Sequence, residues 1–550
     1  MSITRIIGGT LTKTATTGNI DIRATEGNVD FIAAQHNIWH GEQEGIIYHD
    51  YEPLHPSDTL ATTIDITLNI FFDGTQNNKT NTEEGKNYQA SNHEDDSYTN
   101  DYSNVARGYD SIDAAIPFHE KIYVEGIATQ DLEKDDVVPD VAIGMGSRGI
   151  VAKVTKACIM AGKKFKQKKY QDKKIDEIKV NVFGFSRGAA AARHFLHVGN
   201  SPAKLQLIDR EYAYAIPPFV SDTNPDYIKI KRDEPLVNKH GYFAACLLDN
   251  DIRPKKINFN FVGLYDTVAS HGVYHGNDVK DLHLDAVEKA YFVFQISADD
   301  EYRENFDLTD ITSAGINGLE YTLPGVHSDI GGSYRDRAFE RAILYYKKES
   351  LYNEMIHNAK EEVSKFKEIV IREGWYKDYQ IDAGSFPESF INPKKKKEKF
   401  ENMEDTYYSV IGTRKMRNTY DKIPLKKMFF YSKQFGVIYN DNKMSKLHEI
   451  EDPFLQKIYN QLLNYIVACN NLRNSYVKQK SWDSEKYLTE LRQISYLDYI
   501  DPQDLKTLRN EYLHWSVKAN EFGLGSRESQ APSKEGALEH QYRKREIHHG

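Results

Sequence analysis

Cysteine is scarce in this chain: Cys158, Cys246 and Cys469 are the only 3 among 550 residues. They are too few and too scattered for a disulfide framework, and no C-x-x-C pair suggests a structural zinc site. The chain reads as one synthesised and folded in a reducing compartment. Long apolar runs are missing too. No stretch approaches the roughly 18 uninterrupted apolar residues of a membrane span, and the opening MSITRIIGGTLTK lacks the apolar core of a signal peptide. Action outside the producing cell would then require a separate delivery machine. A net positive balance is the third absence: a formal net charge of −10 argues against a general nucleic-acid binder.

Apolar residues make up 40% of the chain and aromatics 12%. That is enough for a packed core, and the length suits one large catalytic domain with additions. Residues 1–58 differ in character from the rest. Gly18-Asn19-Ile20-Asp21-Ile22 recurs as Gly27-Asn28-Val29-Asp30-Phe31, a turn signal followed by apolar/polar alternation in each copy. Two readings stand: strands added onto another β structure, or a hairpin extending the main sheet. Pro53–Ser57 reads as a linker.

From Ile64 the pattern changes. IDITLNIFFDG, KIYVEGIA, KVNVFGFS and INFNFVGLYDT read as strands, whereas GIVAKVTKACIMAGKKFK and AAAARHFLHV read as helices. Strands separated by helices predict a mostly parallel sheet covered on both faces, an α/β class fold. The polar stretch Asn77–Asn100 is expected as an exposed loop, and the extra residues between Ser186 and Asp266, SDTNPDYIKIKRDEPLVNKHG among them, as an insertion. Beyond about residue 340, AFERAILYYKKESLYNEMIHNAKEEVSKFKEIVIREG is expected as one long amphipathic helix or a pair. DPFLQKIYNQLLNYIVACNNLRNSYVKQK is expected as another helix. Their apolar stripes suit ordinary core, with a lid or membrane-facing role as the alternative. Lys394–Lys397 with Lys399 reads as a solvated loop, anionic headgroups being the competing partner. The expected divisions are a small β-rich extension at 1–58, the α/β catalytic domain at 59–340, an α-helical insertion or membrane-engaging region at 341–500, and a segment at 501–550 packing on the catalytic domain.

The chemistry centres on Gly184-Phe185-Ser186-Arg187-Gly188, a G-x-S-x-G pentapeptide between an alternating strand and a small-residue helix. A nucleophile elbow needs this context: the tight turn exposes the serine hydroxyl, and flanking glycines admit neighbouring backbone. A serine needs a base, and the base an orienting carboxylate. In elbow hydrolases these follow in the order Ser, Asp or Glu, His. Asp266 closes the apolar run FVGLYD, and His327 lies in the Pro/Gly-rich LPGVHSDIGG, both suited to the carboxyl edge of a parallel sheet. Asp299, Asp300 and Asp329 compete with Asp266, Asp329 suiting a loop-bracing role. His271, His275 and His283 compete with His327. His194 and His197 sit at helical spacing without further ligands to make a metal site. An oxyanion would be met by the backbone N–H of Arg187 and by that of Gly74 in the turn Asp73-Gly74-Thr75, with Asp73 bracing the turn. No metal or cofactor is called for.

FFDGTQNN, SNVARGYD, YVEGIA, GFSRGAAAAR, GLYDTVAS, SADDEYRENF and LPGVHSDIGGSY occur in the order seen in the DUF2235 α/β-hydrolases. This group includes the Tle1-type phospholipase effectors of bacterial type VI secretion, which residues 64–340 resemble. The resemblance implies an α/β-hydrolase fold and a triad of Ser186, Asp266 and His327. It also implies phospholipase A activity on membrane glycerophospholipid in a target cell. The helices after residue 340 would look like a membrane-engaging portion. Residues 1–58 would look like an adaptor for the secretion spike, and an antibacterial toxin would come with an immunity protein. Two other readings are a hydrolase of soluble esters or thioesters, and a catalytically idle interaction module.

Overall fold

A computed structural model describes residues 63–87, 95–136, 146–170, 173–221, 225–269, 278–348, 353–391, 405–479, 483–518, 525, 527 and 545–550. The chain divides after Leu60. The expectations for residues 1–58 and for Lys394–Lys399 therefore fall outside the described residues.

Six strands build the central sheet: β1 (Thr63–Phe72), β2 (His119–Val124), β3 (Lys174–Phe185), β4 (Lys256–Tyr265), β5 (Phe292–Ala298) and β6 (Gly318–Leu323). Their spatial order is β6-β5-β4-β3-β1-β2, and every neighbouring pair is parallel. Parallel strands require crossovers, and those here use the helices Ile150–Lys164, Arg187–Gly199 and Pro235–Leu248. The order reverses at β1, so the crevice between the carboxyl ends of β1 and β3 is a topological switch point, where α/β sheets place ligands.

Pleat alternation divides β1 between two cores. Ile66, Leu68, Ile70 and Phe72 join Val154, Phe195 and Phe243 on one face. Phe71 joins Phe183, Phe261, Trp375 and Leu462 on the other. The second face is covered by the later part of the chain. On the helix Pro453–Val477, Leu455, Ile458, Leu462, Tyr465, Ile466, Cys469 and Tyr476 are buried, so this apolar stripe is core.

Two local expectations are corrected. Ala338–Lys348 is a strand, antiparallel to Thr406–Met416, which in turn pairs with Ile381–Pro387. Among the described residues of the expected long helix, only Asn353–Arg372 is helical. The strand's partners lie far along the chain, and pairing with them outweighs a local pattern that suits a helix equally well. The stretch Asn77–Asn100 carries the helices Lys79–Asn87 and Asp96–Thr99. Here buried polar groups replace apolar periodicity: Asn81 Nδ2 donates to Ser97 Oγ at 3.0 Å, and Ser97 Oγ donates to Asp135 at 2.6 Å. The residues between Ser186 and Asp266 expected as an insertion carry a small antiparallel sheet of Lys204–Leu207, Tyr212–Ile216 and Ile228–Lys231.

Candidate active site

Strand β3 ends at Phe185 and the next helix starts at Arg187, so Ser186 makes the whole turn, at φ 59° and ψ −130°. A non-glycine residue there costs on the order of 1–3 kcal/mol and persists only where its surroundings enforce it. Its N–H donates to Tyr265 O at 3.0 Å, and Val268 N–H donates to its carbonyl at 3.4 Å, fastening the elbow to the end of β4. The flanking glycines are needed sterically. A Cβ at Gly188 would lie 2.2 Å from Asp73 O, and one at Gly184 would lie 2.5 Å from Gly188 O.

Asp266 follows β4 directly, at φ 44°. Oδ1 accepts from Ala298 N–H at 2.8 Å, while Oδ2 meets His327 Nδ1 at 2.5 Å. Burial alone would raise its carboxyl, but the Arg545 guanidinium and the His327 hydrogen bond hold it below the usual carboxylate value. His327 opens the short helix His327–Gly331 after β6. Its ring lies between Phe185, with centroids 4.6 Å apart, and Phe306, edge-on at 5.1 Å. Burial lowers its pKa more than the Asp266 contact raises it, with Arg303 adding to the lowering. Nδ1 is committed to Asp266, whereas Nε2 is buried without a hydrogen-bond partner among the described residues, Ser186 Oγ included. Hydrogen bonds of this kind are often long in an unliganded enzyme and tighten with substrate. Ser186 and His327 are each 4% exposed.

The turn after β1 lies against the elbow, with Arg187 Nε donating to Thr75 Oγ1 at 2.7 Å. Burial brings the Arg187 guanidinium down to about 10. Asp73 accepts from Ser103 Oγ and Tyr123 OH at 2.6 Å each. It also accepts from Gly74 N–H at 2.7 Å, which amends the expectation for Gly74: that amide is taken up within its own turn. Burial pushes Asp73 up to about 6 despite these donors.

The competing residues have other partners. Asp329 accepts from Val326 N–H and His514 N–H at 3.0 Å and meets His514 Nδ1 at 2.7 Å, which braces the His327 loop. Asp300 accepts from Gly325 N–H at 2.8 Å and pairs with Arg509. Asp299 accepts from Tyr496. His194 Nδ1 lies 2.8 Å from Leu282 O, and His197 stacks on His283 at 3.9 Å. His271 and His275 lie outside the described residues. Asp307, Glu546 and His548 are the one group of potential metal ligands among the described residues, and Asp307 is already paired with Arg527 at 3.0 Å.

Two side chains at the site were not singled out from the sequence. Glu301 is fully buried; it accepts from His327 N–H at 3.2 Å and pairs with Arg303 at 2.9 Å. Burial would raise Glu301, but Arg303 outweighs it and holds the carboxyl far below the usual range. Its signal was available, because SADDEYRENF holds Glu301, Arg303 and Phe306 together. Arg545 had no local signal.

A sequence model of the family described as "T6SS, Phospholipase effector Tle1-like, catalytic domain" matches residues 67–354. No curated protein matches the chain. Among solved structures it is similar to "Structure of the Tle1 effector bound to the VgrG spike from the Type 6 secretion system". The two are 18% identical over 89% of this chain and 94% of that one, with a TM-score of 0.51. A "Crystal structure of an uncharacterized protein from Pseudomonas aeruginosa" is 15% identical over 78% of this chain and 53% of that one, with a TM-score of 0.31. The structural likeness carries the fold, and the family match spans more than half of the sequence: the chain belongs to the Tle1-like phospholipase effectors of type VI secretion.

Proposed function

We propose that this chain is a serine esterase of the phospholipase A type, cleaving acyl esters of membrane glycerophospholipids through Ser186, His327 and Asp266. The observation that carries the reading is a strained serine and a carboxylate-held histidine at the carboxyl edge of one parallel sheet, the imidazole Nε2 having no hydrogen-bond partner among the described residues. Ser186 Oγ attacks the ester carbonyl while His327 Nε2 takes its proton, then returns that proton to the leaving alkoxide. Water repeats the sequence on the acyl-enzyme. Asp266 holds the imidazole tautomer and stabilises the imidazolium.

The backbone N–H of Arg187 is one donor to the tetrahedral oxyanion, and removing such a donor typically costs about 10²–10³ in rate. Gly74 provides the second only if its amide leaves Asp73 Oδ1 when substrate binds. Ester chemistry follows from the side chains. The choice of phospholipid is supported by the family.

Membership in an effector family also supports delivery into a target cell as an antibacterial toxin, with a cognate immunity protein in the producer. The solved Tle1 effector is bound to a VgrG spike, and we assign residues 1–58 the corresponding adaptor role. Among the described residues no helix is long and apolar enough to cross a membrane.

Lipid mass spectrometry on mixed phospholipid vesicles, wild type against Ser186→Ala, tests the chemistry. Fatty acid and lysophospholipid should appear with wild type alone; equal release by folded Ser186→Ala would refute the mechanism. Cleavage of monomeric esters but not of vesicles would place the substrate among soluble esters.

A further inference from the structure

Arg545 lies outside the matched residues 67–354, yet it reaches the carboxylate that holds His327. Its Nη1 donates to Asp266 Oδ1 at 2.5 Å and its Nη2 to Oδ2 at 3.0 Å, a two-pronged contact. Nε donates to Phe306 O at 2.6 Å, tying the same guanidinium to the residue that stands edge-on to the His327 ring. The Arg545 side chain is 5% exposed and that of Asp266 is fully buried.

The backbone that delivers Arg545 is clipped to the sheet edge. Ile547–His548 runs parallel to Leu308–Thr309. Leu308 N–H donates to Glu546 O at 2.9 Å, and Asp310 N–H donates to His548 O at 3.0 Å. Thr309 N–H in turn donates to Thr267 O at 2.9 Å, next to Asp266. Arg545 and Ile547 also face a cavity of about 440 Å³ with Asp299, Glu320 and Tyr496. On that side the segment is held by its hydrogen bonds and the arginine contact rather than by core packing.

A carboxylate that orients an imidazole must have its own plane fixed. Ala298 N–H, His327 and both prongs of Arg545 converge on the two oxygens of Asp266, and a planar guanidinium fixes a carboxylate where a lysine supplies only a point charge. We propose that Arg545 is a positioning residue of the hydrolase site, delivered by the 545–550 segment, and that the site reaches full rate only with this two-pronged contact in place. The proposal rests on the roles given above to Ser186, His327 and Asp266.

Removing the Arg545 charge alters the titration of His327 in any case, so the positioning role is read from kcat in the lysine variant, which keeps the charge and loses the planar two-pronged contact. The charged groups around the imidazole are Asp266, Glu301, Arg303 and Arg545, with Arg527 beyond Glu301. Arg545 offsets the charge of Asp266. Without it the imidazolium is better stabilised, His327 holds its proton to higher pH, and the acid limb of kcat/KM moves upward.

The test compares the full-length wild type with Arg545→Gln, Arg545→Lys and Ser186→Ala between about pH 5 and 9. Each is assayed on phosphatidylethanolamine/phosphatidylglycerol vesicles and on a monomeric short-chain ester, with thermal unfolding recorded in parallel. Arg545→Gln should lose about 10²-fold in kcat at near-constant KM, with its acid limb raised by on the order of one pH unit. Arg545→Lys should lose rate but keep the wild-type limb, because it retains the charge and loses the second prong. A folded Arg545→Gln with wild-type kcat and limb overturns the inference while an inactive Ser186→Ala leaves the site reading standing. Activity in Ser186→Ala overturns that reading instead. Should Arg545→Gln not fold, the lysine variant decides, and wild-type kcat in Arg545→Lys overturns the need for the two-pronged contact.

Discussion

Asp266→Asn keeps the side-chain shape and removes the charge that two partners share. Oδ1 takes Ala298 N–H at 2.8 Å and Arg545 Nη1 at 2.5 Å. Oδ2 takes His327 Nδ1 at 2.5 Å and Arg545 Nη2 at 3.0 Å. An amide offers one oxygen to this ring of donors. If the oxygen faces Ala298 and Arg545, the NH₂ donates to His327 Nδ1, which places the ring proton on Nε2 and removes the base. The rate then falls by about 10⁴. If the amide is flipped, its NH₂ meets both Ala298 N–H and a guanidinium N–H, which is worse. In either arrangement the buried Arg545 loses its counter-charge, a destabilisation of about 3–5 kcal/mol.

Asp266→Asn combined with Arg545→Met removes both charges and should recover most of that stability without recovering activity. Denaturant unfolding and vesicle hydrolysis read the two effects separately. An Asp266→Asn rate within about tenfold of wild type would refute the tautomer argument. A double variant no more stable than the single would refute the charge argument.

Gly188→Ala places a Cβ 2.2 Å from Asp73 O and 2.4 Å from Phe72 O. The elbow must shift, so fluorophosphonate labelling of Ser186 should slow by about 10²-fold, with about 1–3 kcal/mol of stability lost in denaturant titration; labelling at the wild-type rate would contradict the packing. Glu320 is pushed by burial, with Asp310 adding, up to about 7 from 4.5. The folded state keeps this proton to higher pH than the unfolded chain. The stability it contributes is therefore complete below about pH 4.5 and declines as pH rises through about 7, by about 3 kcal/mol in all. Glu320→Gln should flatten unfolding free energy across that window; an unchanged pH dependence would exclude Glu320 as its source.

Legibility followed the range of the deciding interaction. β1, β3 and β4 were readable because strands buried on both faces near their carboxyl ends leave long apolar runs ended by turn residues. The elbow was readable because strand, glycines, serine and small-residue helix are contiguous. Chain order pointed to Asp266 and His327, and these two are hydrogen-bonded. Ala338–Lys348 was misread because a strand of mixed pattern takes its identity from Thr406–Met416. The turn helices at Lys79–Asn87 and Asp96–Thr99 were missed because buried hydrogen bonds to Ser97 and Asp135, not apolar spacing, hold them.

What the sequence alone determined about this protein is the α/β alternation, the family motifs and the three residues suited to acyl transfer, all carried by local pattern and chain order. The tertiary structure decided how these groups are held. Gly74 N–H donates to Asp73 Oδ1, because Ser103 and Tyr123 hold that carboxylate within the turn. Glu301 takes the His327 amide, and Arg545 grips Asp266 from the far end of the chain. The Arg545 contact, between residues so far apart, leaves no periodicity and no spacing to read; it exists only once the fold has brought the two segments together.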